Sequence, residues 1–249
     1  MIHPSYALAG LAVGFLIGLT GVGSGAVMAP LLTALGVPPA IVVGSDLGYG
    51  LFTKVAGLGF HARQGSVDWH WVRMMSLGSM PGALVGSLVL TRLVQSPGAI
   101  RHGIGLILVV TASLVLLAEL ARRRYAQWVQ QLQHPRPWVV IGLGFVIGAV
   151  VGTTSVGSGS LTDLVLMLFT PLSGAQLVGT GLAHAILLTA VATVSHWGLG
   201  NIDIALVLNL LLGSIPGVLL GSRLAFKAPP RPLKLGIAGL ILASAFTML

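Results

Sequence analysis

The chain has no cysteine, five acidic residues and few aromatic ones, 6% of its 249 positions. The first absence excludes disulfides and thiolate metal sites. Charged residues are 7% of the whole against 55% apolar, whereas a soluble domain is roughly a quarter charged. No Walker sequence, nucleophile triad, metal motif or base-reading module occurs, so neither a cofactor nor a nucleic-acid partner is expected. No soluble domain is left over: the longest polar segment, 122–137, is a loop opening on Arg122, Arg123 and Arg124. The N-terminal Met-Ile-His-Pro-Ser-Tyr lacks the basic region of a signal peptide, and the first apolar stretch is read as retained.

What the chain does have is apolar sequence, in stretches at 6–20, 25–36, 40–60, 71–91, 103–120, 138–153, 160–170, 174–197, 204–225 and 233–249. A bilayer crossing takes roughly 20 helical residues. Several stretches meet that length, while 25–36 and 160–170 clearly do not. The pattern predicts an all-α integral membrane protein embedded in a lipid bilayer. Thirty-five glycines would weaken a soluble helical protein, but small residues let membrane helices approach closely.

The formal charge of +8 has a topological explanation. Counting alternate sides through ten segments collects Arg63, Arg73, Arg122, Arg123, Arg124, Arg136, Arg223, Lys227, Arg231 and Lys234 on one face, with only Arg92 and Arg101 on the other. Positive charge gathers on the cytoplasmic side, which puts both termini outside a cell (inner) membrane. Trp69, Trp71, Trp128, Trp138 and Trp197 fall at or near segment ends or in loops, as interfacial anchors do.

An offset of 135 residues lays Gly78-Ser-Met-Pro-Gly-Ala-Leu-Val-Gly-Ser87 on Gly213-Ser-Ile-Pro-Gly-Val-Leu-Leu-Gly-Ser222, with seven of ten positions identical. The same offset pairs Gly44 and Ser45 with Gly179 and Thr180, His61 with His196, Gly65 with Gly200, and Asp68 with Asp203. Upstream, an offset of 134 lays Gly21-Val-Gly-Ser-Gly25 on Ser155-Val-Gly-Ser-Gly159. Residues 1–121 and 138–249 thus read as two copies joined by a cytoplasmic linker, 122–137. Five segments per copy, or three crossings if the first two form a hairpin, are odd numbers, so the second copy is inverted. Inverted repeats with interrupted helices are a recurrent transporter design.

The chain resembles the TauE/SafE-type sulfite exporters, also called the four-toluene-sulfonate uptake permease family. The likeness covers nearly the whole chain. It rests on the break Gly21 to Gly25 followed by Pro30-Leu-Leu, on Val43-Gly-Ser-Asp-Leu47, on the stretch from His61 to Trp69 ending Gly-Ser-Val-Asp-Trp, and on the doubled pattern around Gly82 and Gly217. The resemblance implies export or uptake of a small sulfur-containing anion such as sulfite, thiosulfate or an organosulfonate, without a nucleotide-hydrolysing domain on the chain. The sequence departs from the family pattern at Asp46, where a small hydroxyl residue is more usual, and at Asp163 after the second break.

Each Gly-rich break precedes a helix too short to span. Its first amides would point into the protein and need an acceptor. An oxyanion meets that need. Gly21, Gly23, Ser24 and Gly25, with Gly157, Ser158 and Gly159, are therefore candidate binding residues, the alternative being glycines that only permit tight packing. Ser160-Leu-Thr-Asp163 reads as a capping box. Asp163, if protonated, is also a proton-coupling candidate, as is Asp46. Asp46, Tyr49, Thr53 and Lys54 share one helical face. Lys54 is the only lysine or arginine placed away from the ends of an apolar segment, a counter-charge for an anion unless it pairs with Asp46 or snorkels to the interface.

His184 matches Tyr49 and lies one turn from Thr180, so both are candidates, against an ordinary interhelical histidine. His61 and His196 read as interfacial or capping groups, Asp68 and Asp203 as helix N-caps. Glycines 78, 82 and 86, and 213, 217 and 221, read as packing faces, with Pro81 and Pro216 permitting kinks. Two other classes stay open: an intramembrane hydrolase assembling Asp46, Asp163, His184 and serines, and a cation or metal-ion carrier. No motif specifies an oligomer.

Overall fold

The computed structural model describes residues 4–20, 23–63, 65–93, 97–124, 136–172 and 174–225, with 239, 242 and 245. Every regular element among them is helical: α1 Pro4–Thr20, α2 Gly25–Ala34, α3 Pro39–Arg63, α4 Trp69–Leu93, α5 Pro97–Arg124, α6 Pro137–Thr154, α7 Ser160–Phe169, α8 Gly174–Gly198 and α9 Ile204–Ala225. Most of the last apolar stretch, 233–249, and residues 125–135 of the linker lie outside the described residues.

Four of these helices begin on proline, whose fixed φ suits the first turn and whose missing N–H would have no partner there. α2 ends on Leu35 and Gly36, with Gly36 N–H bonded to Thr33 and Val37 N–H to Leu32. α8 ends the same way at Gly200 and Asn201. Both glycines, at φ +82° and +72°, take the left-handed conformation this stop requires.

The expected short helices are ten residues each, α2 and α7. Among the described residues four helices are long and apolar enough to cross a membrane, over Trp69–Arg92, Pro137–Thr154, Gln176–Gly198 and Ile204–Leu224. Leu77, Leu88, Val146, Val194, Leu208 and Leu212 stand exposed on them, surface that a bilayer would cover. Trp69, Trp138 and Trp197 are exposed near helix ends.

The helices pack by exchange. α1 lies along α9 and α4 along α6, the two closest pairs. A Cβ on Gly10, Gly14 or Gly18 would strike the backbone of Leu210, Ser214 or Val218, and one on Gly213, Gly217 or Gly221 would strike Ala7, Leu11 or Phe15. Gly78, Gly82 and Gly86 of α4 meet Ile141, Phe145 and Ala149 of α6 in the same way, while Gly144, Gly148 and Gly152 meet Met75, Ser79 and Ala83. Backbones this close gain dispersion contacts that no larger residue allows. The two glycine rows of the repeated decapeptide are thus packing faces, each docked on a second glycine row. Pro81 and Pro216 lie on the exposed sides of α4 and α9.

Tyr6 near the start of α1, residues 35–38 after α2, Ile41 near the start of α3 and Asp203 before α9 line one cavity of about 560 Å³. The hairpin of α1 and α2 therefore enters and leaves at one end of the molecule. At the other end of α3, Gly179 of α8 meets Ser66 ahead of α4, and Gly78 of α4 meets Ile141 of α6. The hairpin of α6 and α7 starts and finishes there. α3 and α8 run antiparallel past each other between the two.

Candidate anion site

The two breaks meet. A Cβ on Gly23 would fall 2.6 Å from Ser158 Oγ and 3.0 Å from the amide nitrogen of Gly159. One on Gly25 would strike the carbonyl of Ser155. Glycine at these points allows the start of α2 to touch the start of α7. Between α6 and α7 the chain turns through Ser155 at φ 61° and Gly157 at φ 98°, a conformation that suits glycine and costs a side-chain residue. Gly21 lies outside the described residues.

α3 brings the charged groups to this junction. Ser24 Oγ donates to Asp46 Oδ2 at 3.1 Å. A Cβ on Gly50 would meet Ser24 Oγ at 2.6 Å and Lys54 Nζ at 3.3 Å, so the hydroxyl and the ammonium are neighbours over a gap that only glycine leaves. Tyr49 has Ser24 and Asp46 as its polar neighbours. Lys54 is 1% exposed and Asp46 fully buried, which rules out a snorkelling lysine. Nor does Lys54 Nζ hydrogen-bond to Asp46: among the described residues it has no hydrogen-bond partner, although the carboxylate acts on it through space.

Other polar atoms here are equally uncommitted. Asp46 Oδ1, Tyr49 Oη and the hydroxyls of Ser155, Ser158 and Ser160 are buried and make no hydrogen bond among the described residues. Ser155 Oγ lies beside the Asp46 carboxylate without completing one. Such groups are costly to leave unpaired. Their gathering where the two short helices start, with an ammonium beside Ser24, is the arrangement an oxyanion would satisfy.

The serine half of the capping box does not form. The N-cap of α7 is Gly159, with no side-chain cap, and Ser160 is the first helical residue with an unpaired hydroxyl. The turn at Ser155 and Gly157 starts the helix one residue earlier than the box requires. α2 likewise has no side-chain cap at Ser24. Asp163 packs against Gly181 of α8, the residue that matches Asp46 of α3 at the 135-residue offset. Each half thus sets one carboxylate between its short helix and its long one, supplied by the long helix in the first half and by the short helix in the second.

Thr180 and His184 each have hydrogen-bond partners within the protein. The Asp68 amide donates to Thr180 Oγ1 at 2.9 Å, and the Asp203 amide donates to Ser45 Oγ at 3.0 Å. His184, buried on α8, contacts Ser79 Oγ of α4 through Nε2 at 2.9 Å and Thr162 Oγ1 of α7 through Nδ1 at 3.2 Å. Asp46 lies with Ser24 and is not a partner of this Ser–His contact. Ser214 of α9, which matches Ser79, is joined to Thr53 of α3 at 2.7 Å. Asp68 and Asp203 cap α4 and α9 by accepting from His70 N–H and Leu206 N–H, each at 3.0 Å.

His196 is fully buried, not interfacial. Its Nε2 donates to the Gly152 carbonyl at 2.8 Å while Nδ1 accepts from Asn201 Nδ2 at 3.3 Å, fastening the end of α8 to α6. The side chain of His61 lies outside the described residues.

A model of the sulfite exporter TauE/SafE family matches residues 6–248. The chain belongs to the TauE/SafE sulfite exporter family. Across 98% of its length and 99% of the relative, this TauE/SafE chain is 39% identical to the probable membrane transporter protein YjnA of Bacillus subtilis (strain 168). It is 28% identical to YdhB of the same organism, also named a probable membrane transporter protein, over 92% of this chain and 96% of that one. No solved structure matches. Family and relatives, together with the apolar helices, make this TauE/SafE chain a membrane transporter.

Proposed function

We propose that the protein is a secondary transporter for sulfur-containing oxyanions, sulfite, thiosulfate or an organosulfonate, working as an exporter in the cell (inner) membrane. The substrate seat is the junction of the two breaks with α3. One observation carries this reading: a fully buried ammonium, Lys54, without a hydrogen-bond partner among the described residues, lies beside Ser24 at the start of α2, where that helix meets the start of α7 and its unpaired hydroxyls. Desolvated anions need a compensating charge as well as amides and hydroxyls to orient them. Residues 1–121 and 138–249 act as inverted copies, each supplying one break, and the exchange of partners between α1 and α9 and between α4 and α6 supports that division. Both termini face outward, with 122–137 cytoplasmic.

Flux of sulfite, thiosulfate and a sulfonate into vesicles containing the purified protein tests this. Lys54→Ala should impair transport at subsaturating substrate while membrane insertion is normal, and Lys54→Arg should restore part of it, because charge returns with altered geometry. Parent-like transport by Lys54→Ala removes Lys54 from the seat.

A further inference from the structure

Building on the anion seat just described, we propose that Asp46 carries a proton together with each anion, so that the two cross the membrane as a pair, outward when the anion's own gradient exceeds the opposing proton gradient. Empty, the seat holds one ammonium and one carboxylate, both buried on α3 and both under each other's charge. An anion placed beside Lys54 turns that dry volume net negative. Uncompensated charge in a desolvated site is strongly unfavourable, so the anion and an ionised Asp46 oppose each other. A proton on Asp46 removes the conflict.

The carboxylate is built to take it. Ser24 occupies Oδ2, whereas Oδ1 is buried with no hydrogen-bond partner. A proton arriving from water on one side binds Oδ1, and the neutral acid then has an O–H to offer the anion or Ser155. Its release on the other side restores the repulsion and drives the anion out. No covalent bond forms or breaks beyond this O–H.

The surroundings leave Asp46 as the group that titrates against the seat. On its own helix it faces Lys54 and Tyr49. α2 and the turn before α7 present hydroxyls only, Ser24 and Ser155. Asp163 of α7 packs against Gly181 of α8, and His184 on α8 has both nitrogens engaged by Ser79 and Thr162. α9 has no titratable side chain before Arg223, Tyr6 of α1 lines the cavity at the molecule's end, and His102 of α5 is exposed and bonded to the Gly98 carbonyl.

The test uses the full chain in proteoliposomes that enclose a pH-sensitive dye, with radiolabelled thiosulfate and methanesulfonate supplied outside. Neither anion binds a proton near neutral pH, so any acidification inside comes with transport and not from the substrate. In the parent, uptake of either anion should acidify the lumen in fixed proportion. Asp46→Asn should lose the acidification and the proton-driven accumulation while anion-for-anion exchange stays detectable. Asp46→Glu should recover acidification. Anion uptake without acidification in the parent overturns the coupling alone, as does acidification that persists in Asp46→Asn. If the parent moves neither of these anions nor sulfite, the anion reading falls and the coupling with it. The parent measurement stands without any variant, so a misfolded mutant cannot shield the proposal.

Discussion

The amide of Asp203 rests on the hydroxyl of Ser45, 3.0 Å away and 158 positions earlier in the chain. Asp68 makes the same bond to Thr180 at 2.9 Å. Each joins the turn before one helix to the beginning of a helix in the other half. Ser45→Ala or Thr180→Val should lower thermal stability in detergent by about 1 kcal/mol each, the usual net worth of one such bond. Thr180→Ser should restore it. Since the bonds are far apart, the double variant should lose the sum. Transport by Thr180→Val at saturating substrate should stay near that of the parent, and a collapse of transport with unchanged stability would return Thr180 to the anion seat.

Glycines in this chain divide sharply by what surrounds them. At Gly148 a Cβ would strike the Ser79 backbone, whereas at Gly142, on the same helix, it would meet nothing within 4 Å. Gly148→Ala should force α4 and α6 apart and yield aggregated or degraded protein. Gly142→Ala should be tolerated or gain up to about 1 kcal/mol, because alanine has the better helix propensity. Comparing monodisperse yields of the two variants on size-exclusion chromatography checks this, and equal yields would contradict the packing.

His184 ties α4 to α7 through its two nitrogens. His184→Phe keeps a planar ring, slightly larger than imidazole, and leaves the Ser79 and Thr162 hydroxyls without their partner, at a cost of about 1–3 kcal/mol. Adding Ser79→Ala to His184→Phe should then cost little more, and a double-mutant cycle on thermal stability measures that coupling. Additive losses would show that the two side chains do not interact.

The absence of native cysteine makes orientation directly measurable. With Ser5 exposed near the start of α1, Ser5→Cys should react with an impermeant thiol reagent added to intact cells. Gln130→Cys in the linker should react only after the membrane is opened. The reverse pattern would invert the assignment.

Much of this architecture is legible from composition and spacing. The short helices follow from Gly-rich interruptions, and the caps at Asp68 and Asp203 follow from an acidic residue just ahead of an apolar run. The packing faces at Gly82 and Gly217 stand out because they lie in a near-identical decapeptide. Their partners, Gly10, Gly14 and Gly18 with Gly144, Gly148 and Gly152, carry the same four-residue spacing, a signal that could have found them without the decapeptide. Gly50 gives no local sign of its importance, since its role is to leave room for Ser24 and Lys54. Neither do Ser45 and Thr180, whose partners lie more than a hundred positions away. A capping box is a local rule, and it fails at Ser160 because the left-handed turn at Ser155 shifts the helix start. His196 is near a helix end in sequence yet buried, because α6 covers it.

The glycine seam between α1 and α9 brings together Gly10 and Leu210, 200 positions apart. During synthesis α1 thus lacks its main packing partner until α9 has been made. A nascent chain arrested before α9 should leave α1 open to crosslinking by whatever insertion machinery or chaperone holds it, and release through α9 should end that exposure. Early translation products of this protein are, on that account, those most in need of protection from degradation.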